Sequence, residues 1–133
     1  MMGEEGDSMK ERIVSEKGPA AIGPYSPAVK AGGLLFVSGQ LPIDANSGAM
    51  AGTIEEQTRQ SLANLRFQLE AAGLTMDAVV KTTVFLKDMN DFAAMNGVYA
   101  TFFSGVYPAR SAVQVVRLPK DALVEIEAIA TLE

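Results

Sequence analysis

An amphipathic segment from Thr53 to Gly73 leaves this chain few architectures. Thr53 followed by Glu56 has the spacing of a capping box, and Glu55 and Glu56 sit where the positive end of a helix dipole favours acids. Leu62, Leu65, Leu69 and Ala72 recur at helical spacing and form one apolar stripe. Gly73 follows where a left-handed C-terminal cap is needed. The spacing predicts a helix over 53–72. Its stripe must be buried, and a sheet face is the natural cover.

The rest of the chain supplies that sheet. Leu34 to Gln40 is apolar and turns polar at Ser38, and Gly39 marks a bulge or a close backbone approach. Val79 to Lys87 alternates and is rich in β-branched residues. Leu123 to Leu132 sends Val124, Ile126, Ala128 and Ala130 to one side, and Leu123, Glu125, Glu127 and Ile129 to the other. The first set suits a helix-covered face. The second is mixed: a monomer would leave it wet and an oligomer would bury it. Ala112 to Val116 reads as a strand after Pro108, which puts Arg110 where a turn enters the sheet. A second helix, capped by Asn90 or Asp91, is predicted to run to about Phe103, with Phe92, Met95, Tyr99, Phe102 and Phe103 apolar. Gly97 inside it costs about 1 kcal/mol relative to Ala, so a packing reason is expected. Arg12 to Ser15 and Ala28 to Ala31 are short extended pieces, and Gly32-Gly33 is a hairpin turn. Gly18 to Pro27 and Leu41 to Gly52 are loops. The order is β-β-α-β-α-β-β with short edge strands.

A length of 133 residues suits one domain with one core. Met1 to Ser8 reads as a disordered extension, with Met9 an alternative start, and the domain spans about 11–133. The acidic, polar stretch to Lys10 is neither a secretory signal nor a transit peptide, and no apolar run approaches the roughly 20 residues that span a bilayer. With no Cys there are no disulfides, and a reducing cytoplasm is the default location. A formal net charge of −5 disfavours broad electrostatic binding to nucleic acid.

The chain also has no His. A Ser–His–acid triad built on Ser38 is therefore excluded. A metal site would have to be all oxygen, and the acids lack the spacing of a Ca²⁺ loop. No phosphate-binding Gly-rich motif occurs. Chemistry must rest on arginine, carboxylates, hydroxyls, backbone groups and water. Arg110 carries a permanent charge and a donor fork that matches a carboxylate; it is either half of a structural ion pair or an anion anchor. Glu125 and Glu127 are either an ordinary charged strand face or working acids. Tyr25 is an aromatic set among turn residues.

Several motifs in order decide between these readings. They are Ala21-Ile-Gly-Pro-Tyr-Ser26, Val37-Ser-Gly-Gln-Leu-Pro42, Lys81-Thr-Thr-Val-Phe-Leu-Lys-Asp88, Asn90-Asp-Phe92, Pro108-Ala-Arg-Ser111, Leu118-Pro-Lys-Asp121 and Glu125-Ile-Glu-Ala-Ile-Ala130. Over about Ile13 to Thr131 the chain resembles the RidA family, reactive-intermediate (enamine/imine) deaminases formerly called YjgF proteins. The resemblance implies a chorismate-mutase-like α+β fold: a mixed sheet with two helices on one face, three copies closing into a homotrimer, and sites between subunits. It implies hydrolysis of 2-imino acids such as 2-iminobutanoate and 2-iminopropanoate to 2-oxo acids and ammonia, with no cofactor, no metal and no nucleic-acid or membrane partner. The family's substrate-binding arginine falls on Arg110, and the glutamate beside the attacking water on Glu125. Tyr25, Ser38, Gly39 and Asn96 fall on cleft positions. Many members have Cys where this chain has Ala112, which excludes a thiol role and leaves a backbone one, such as a carbonyl accepting from the iminium N–H. The loop from Phe103 to Pro108 is shorter than in many relatives. The competing reading is a non-catalytic trimer that holds a small carboxylate. An RNA-acting role is a further alternative, disfavoured by the acidic balance and the lack of His.

Overall fold

The computed structural model describes residues 9–133; the expectation for Met1 to Ser8 lies outside them. Six strands, β1 (Glu11–Ile13), β2 (Ala28–Ala31), β3 (Leu34–Gln40), β4 (Val79–Leu86), β5 (Ala109–Gln114) and β6 (Val124–Thr131), form one mixed sheet. Two helices, α1 (Ile54–Ala71) and α2 (Phe92–Tyr99), join them. The sheet order is β1-β2-β3-β6-β4-β5. All pairings are antiparallel except β4 with β5, which α2 links by a crossover.

The helix α1 begins and ends as its sequence requires. The Thr53 hydroxyl accepts from the Glu56 backbone N–H at 3.1 Å, while the Glu56 carboxylate accepts from the Thr53 hydroxyl at 3.0 Å instead of closing on the Thr53 backbone. At the other end Gly73 N–H donates to Glu70 O and Leu74 N–H to Leu69 O, the two bonds of a Schellman cap, with Gly73 at φ +79°. Leu62, Leu65 and Leu69 are fully buried against Leu35, Val84, Ile126 and Ala130. Val124, Ile126, Ala128 and Ala130 of β6 point to the helices as expected, and Glu125, Glu127 and Ile129 point to the open face.

Several boundaries differ from expectation. The first edge strand ends at Ile13; Ser15 lies beyond it, its backbone N–H donating to Gln68 Oε1 at 3.2 Å. The helix α2 stops at Tyr99, and a 3₁₀ turn over Ala100–Phe102 replaces its expected last turn. Asp91 stands at its N-cap, as one of the two expected residues, but makes no side-chain capping bond; the Asp88 carboxylate caps the preceding 3₁₀ turn over Met89–Asp91, accepting from Asn90 N–H at 2.9 Å. A Cβ on Gly97 would meet nothing within 4 Å, and nothing in the structure explains that glycine. The strand expected over Ala112 to Val116 is displaced: β5 starts at Ala109, and Val116 is fully exposed beyond it. Arg110 therefore lies inside the strand, paired with Thr82, and not in a turn. The parallel register is responsible. It is set by the crossover, and an edge strand covered on one side shows only a weak alternation.

Candidate functional site

Two clefts hold the residues singled out from the sequence. The first lies at the end of β3. The register of β3 on β6 shifts between Val37 and Gln40, so Gly39 sits at a bulge. Gly39 also meets the second expectation, a close approach. A Cβ there would lie 2.5 Å from Glu125 Oε2 and 2.8 Å from its Cδ, so the Glu125 carboxylate rests directly on the Gly39 backbone. Loop Gly18 to Pro27 closes over this strand end. The Ser38 hydroxyl donates to Ser26 O at 2.6 Å, Ser38 N–H donates to Pro27 O at 2.9 Å, and Arg12 donates to Tyr25 O and the Ser26 hydroxyl. The result is a cavity of about 580 Å³ whose wall includes Tyr25, Ser38, Gly39 and Glu125. Lys120 borders it from a turn in which Lys120 and Asp121 both take positive φ, +58° and +57°. Such strain is seen where the surrounding structure fixes a functional turn.

Glu125 is half-buried, and burial first, then the Glu127 carboxylate, pushes its pKa above the ordinary glutamate value. Among the described residues its carboxylate has no hydrogen-bond or ion-pair partner. It is a carboxylate with raised basicity, open to a cavity.

The second cleft is built by β5 and α2. Because Arg110 pairs with Thr82, its side chain leaves the sheet on the helix side. There Nη1 donates to Asn96 Oδ1 at 2.7 Å, and the guanidinium lies 4.9 Å from the Tyr99 ring centroid and 5.4 Å from that of Phe92. The Tyr99 hydroxyl is held by Thr82 Oγ1 at 2.7 Å. Burial pushes the Tyr99 pKa up, against the opposing pull of the Thr82 hydrogen bond and the Arg110 charge. Among the described residues no carboxylate lies within ion-pair distance of Arg110, which contradicts the structural ion pair. A cavity of about 410 Å³ opens on Asn96, Tyr99, Tyr107, Pro108 and Arg110. Ala112, two residues on, packs against the core.

Within one copy of the chain the site residues thus divide. Tyr25, Ser38, Gly39 and Glu125 share one cavity; Arg110 and Asn96 share another. Glu125 and Arg110 project from opposite faces of the sheet.

A row of polar residues on α1 was not anticipated. Gln57, Ser61, Asn64 and Gln68 are buried beside the leucine stripe. Asn64 Nδ2 donates to Leu41 O and Ile43 O, both at 2.9 Å. Gln57 Nε2 donates to Ala51 O, and its Oε1 accepts from Leu123 N–H. These side chains tie down the loops that border the first cavity. Their helical spacing was the available signal, masked because polar residues beside an apolar stripe ordinarily face water. Their spacing in the sequence marks Phe92 and Tyr99 as core; in the structure their rings also flank the Arg110 guanidinium. Among the described residues no three potential metal-ligating acids come together.

The family model for endoribonuclease L-PSP matches residues 15–132. A RutC family protein of Pyrococcus horikoshii is 58% identical over 126 residues, covering 94% of this chain and all of its own. The 2-iminobutanoate/2-iminopropanoate deaminase of Salmonella typhimurium is 51% identical, covering 92% of this chain and 98% of its own. Among solved structures, the YjgF gene product of Escherichia coli superposes with a TM-score of 0.90 at 48% identity, over 92% of this chain and 99% of that one. Escherichia coli TdcF with bound serine gives 0.88 at 45%, over 91% and 98%. The chain belongs to the endoribonuclease L-PSP family, that of the RidA/YjgF proteins.

Proposed function

We propose that this protein hydrolyses small 2-imino acids, among them 2-iminobutanoate and 2-iminopropanoate, to 2-oxo acids and ammonia. The observation that carries the proposal is Arg110: a guanidinium with no acidic partner, held by Asn96 and two rings, offers its remaining donors to a carboxylate from outside the chain. Relatives about half identical over nearly the whole chain carry the deaminase name, which supports the same reading.

The reaction suits a chain without His or Cys. An iminium carbon is already electrophilic, so the protein must hold the substrate carboxylate, place a water and move protons. Glu125, with raised basicity, takes a proton from the attacking water as oxygen bonds to the iminium carbon. The protonated acid then returns that proton to the nitrogen of the carbinolamine. As the carbon–nitrogen bond breaks, ammonia leaves and the Glu125 carboxylate takes the hydroxyl proton to give the 2-oxo acid; that proton then passes to the departing ammonia and resets the base. The backbone carbonyl of Ala112, on the edge strand that carries Arg110, would accept from the iminium N–H.

Arg110 and Glu125 leave opposite faces of one sheet, so they meet at one substrate only if they come from different copies. A cyclic homotrimer in which the open face of one copy packs against the β5 edge of the next would bring them together, because β5 is an edge strand of the sheet. The open face supports such packing: it exposes Phe36 and Val113 beside Lys81, Thr83 and Glu127. The test is ammonia release from 2-iminobutanoate generated in place by an amino-acid oxidase. Release accelerated by the protein and lost in Arg110→Ala is the expected result; a rate equal to spontaneous hydrolysis rejects it. A second reading, binding of a small carboxylate without turnover, is favoured by the bound serine of the TdcF structure. It predicts ligand binding in the same protein with no ammonia released.

A further inference from the structure

The cavity at Glu125 is larger than a three- or four-carbon substrate requires. At about 580 Å³ it falls in the range that encloses much larger ligands. Its wall extends from Gly39 at the end of β3 to Gln68 on α1 and includes Pro19, Ala20, Leu41 and Ile43, which form an arm of the cavity. Small side chains at Ala20 and Ala21 leave this arm open. Beyond Ser38 and Gly39 its wall is apolar except at Gln40, whose Nε2 is spent on Ser38 O, and at Gln68.

Gln68 is only 1% exposed. Its Oε1 accepts from Ser15 N–H at 3.2 Å, which fixes the orientation of the amide. Nε2 lies 3.2 Å from where a Gly18 Cβ would stand and has no hydrogen-bond acceptor among the described residues. Nε2 is not sealed in the core, where Thr58 Oγ1 and Ser61 Oγ are the buried side-chain atoms without a partner among the described residues; it keeps access to the cavity. At the end of an apolar passage it is also a recognition element, because an acceptor arriving there gains what the free protein lacks.

Given imine hydrolysis at Glu125, as proposed above, we infer that the arm takes the substrate side chain and that Gln68 selects side chains ending in a hydrogen-bond-accepting oxygen. The substrates are then 2-imino acids with a stem of several atoms, apolar along its length and carrying an oxygen acceptor at its end. Gln68 is a specificity residue: it touches the distal end of the substrate and takes no part in proton transfer.

Three 2-oxo acid products serve as probes in calorimetric titrations: 2-oxobutanoate, 4-methylthio-2-oxobutanoate and the sulfoxide of the latter. The last two differ by one acceptor oxygen. The affinity ratio of sulfoxide to thioether is expected to fall by about tenfold in Gln68→Leu, since the oxygen is then buried unpaired. Ala20→Leu, a change in an exposed loop residue, narrows the arm and leaves Gln68 in place. It is expected to lower the affinity of both sulfur compounds relative to 2-oxobutanoate. Should Gln68→Leu fail to fold, the Ala20→Leu ratio decides. Ratios unchanged in a protein that hydrolyses 2-iminobutanoate overturn the side-chain assignment alone. A wild-type protein that neither binds these acids nor releases ammonia overturns the assignment together with the proposed activity.

Discussion

Glu125 and Gly39 form the tightest local coupling in the first cavity. With 2.5 Å between a Gly39 Cβ and Glu125 Oε2, and 2.8 Å to Cδ, any side chain at 39 displaces the carboxylate. The displaced atoms are the end of a flexible side chain, so the fold has an escape and the chemistry does not. Gly39→Ala is expected to keep its melting temperature near wild type and to lose at least about tenfold in ammonia release, because a misplaced base loses its alignment with the water. Wild-type turnover would show that Glu125 works from another position. Glu125 also leaves a signature in stability. Its folded pKa is raised, so the folded state binds more protons than the unfolded one between the two values. Stability from this group is therefore lost as pH rises through that window, which begins at the ordinary glutamate value and extends upward. Glu125→Gln removes the titration: it is expected to flatten the fall in melting temperature across that window and to raise stability relative to wild type above it. Parallel melting curves for the two proteins across pH would refute this.

Helix α1 joins the core to the site at the scale of elements. Its leucines face the sheet while Gln57, Asn64 and Gln68 hold the loops after β3 and beside β1. Leu65→Ala is expected to cost about 2–5 kcal/mol by opening a cavity in the core. Asn64→Leu leaves two half-buried carbonyls, Leu41 O and Ile43 O, without their donor and is expected to cost about 1–3 kcal/mol. Chemical denaturation measures both, and a neutral Asn64→Leu would show that water replaces the amide. The contrast marks what the sequence made legible. Helix caps, the Leu62–Leu69 stripe and the alternation of β6 depend on neighbours within one element, and they were readable. The Gly39 approach was readable as one of two options because glycine at a strand end has few uses. The face on which Arg110 leaves the sheet was not readable, since it depends on the parallel register of β5 on β4. The Gln68 amide was not readable because its partner, the Ser15 backbone N–H, is far away in the chain.

At the scale of the whole molecule, the sheet keeps Arg110 and Glu125 apart, and the proposed activity needs them together. Assembly is then part of the catalytic device, and a sedimentation mass of three times 14.1 kDa is expected. The most direct measurement is complementation between two inactive variants. Arg110→Ala and Glu125→Gln are each expected to form trimers with little ammonia release from 2-iminobutanoate. Coexpressed in equal amounts, they form mixed trimers in which some sites pair an intact Arg110 with an intact Glu125 from another copy. Random mixing restores about one quarter of wild-type activity. Mixed trimers that form, as shown by a tag on one variant, yet stay as inactive as either parent would contradict a site shared between copies.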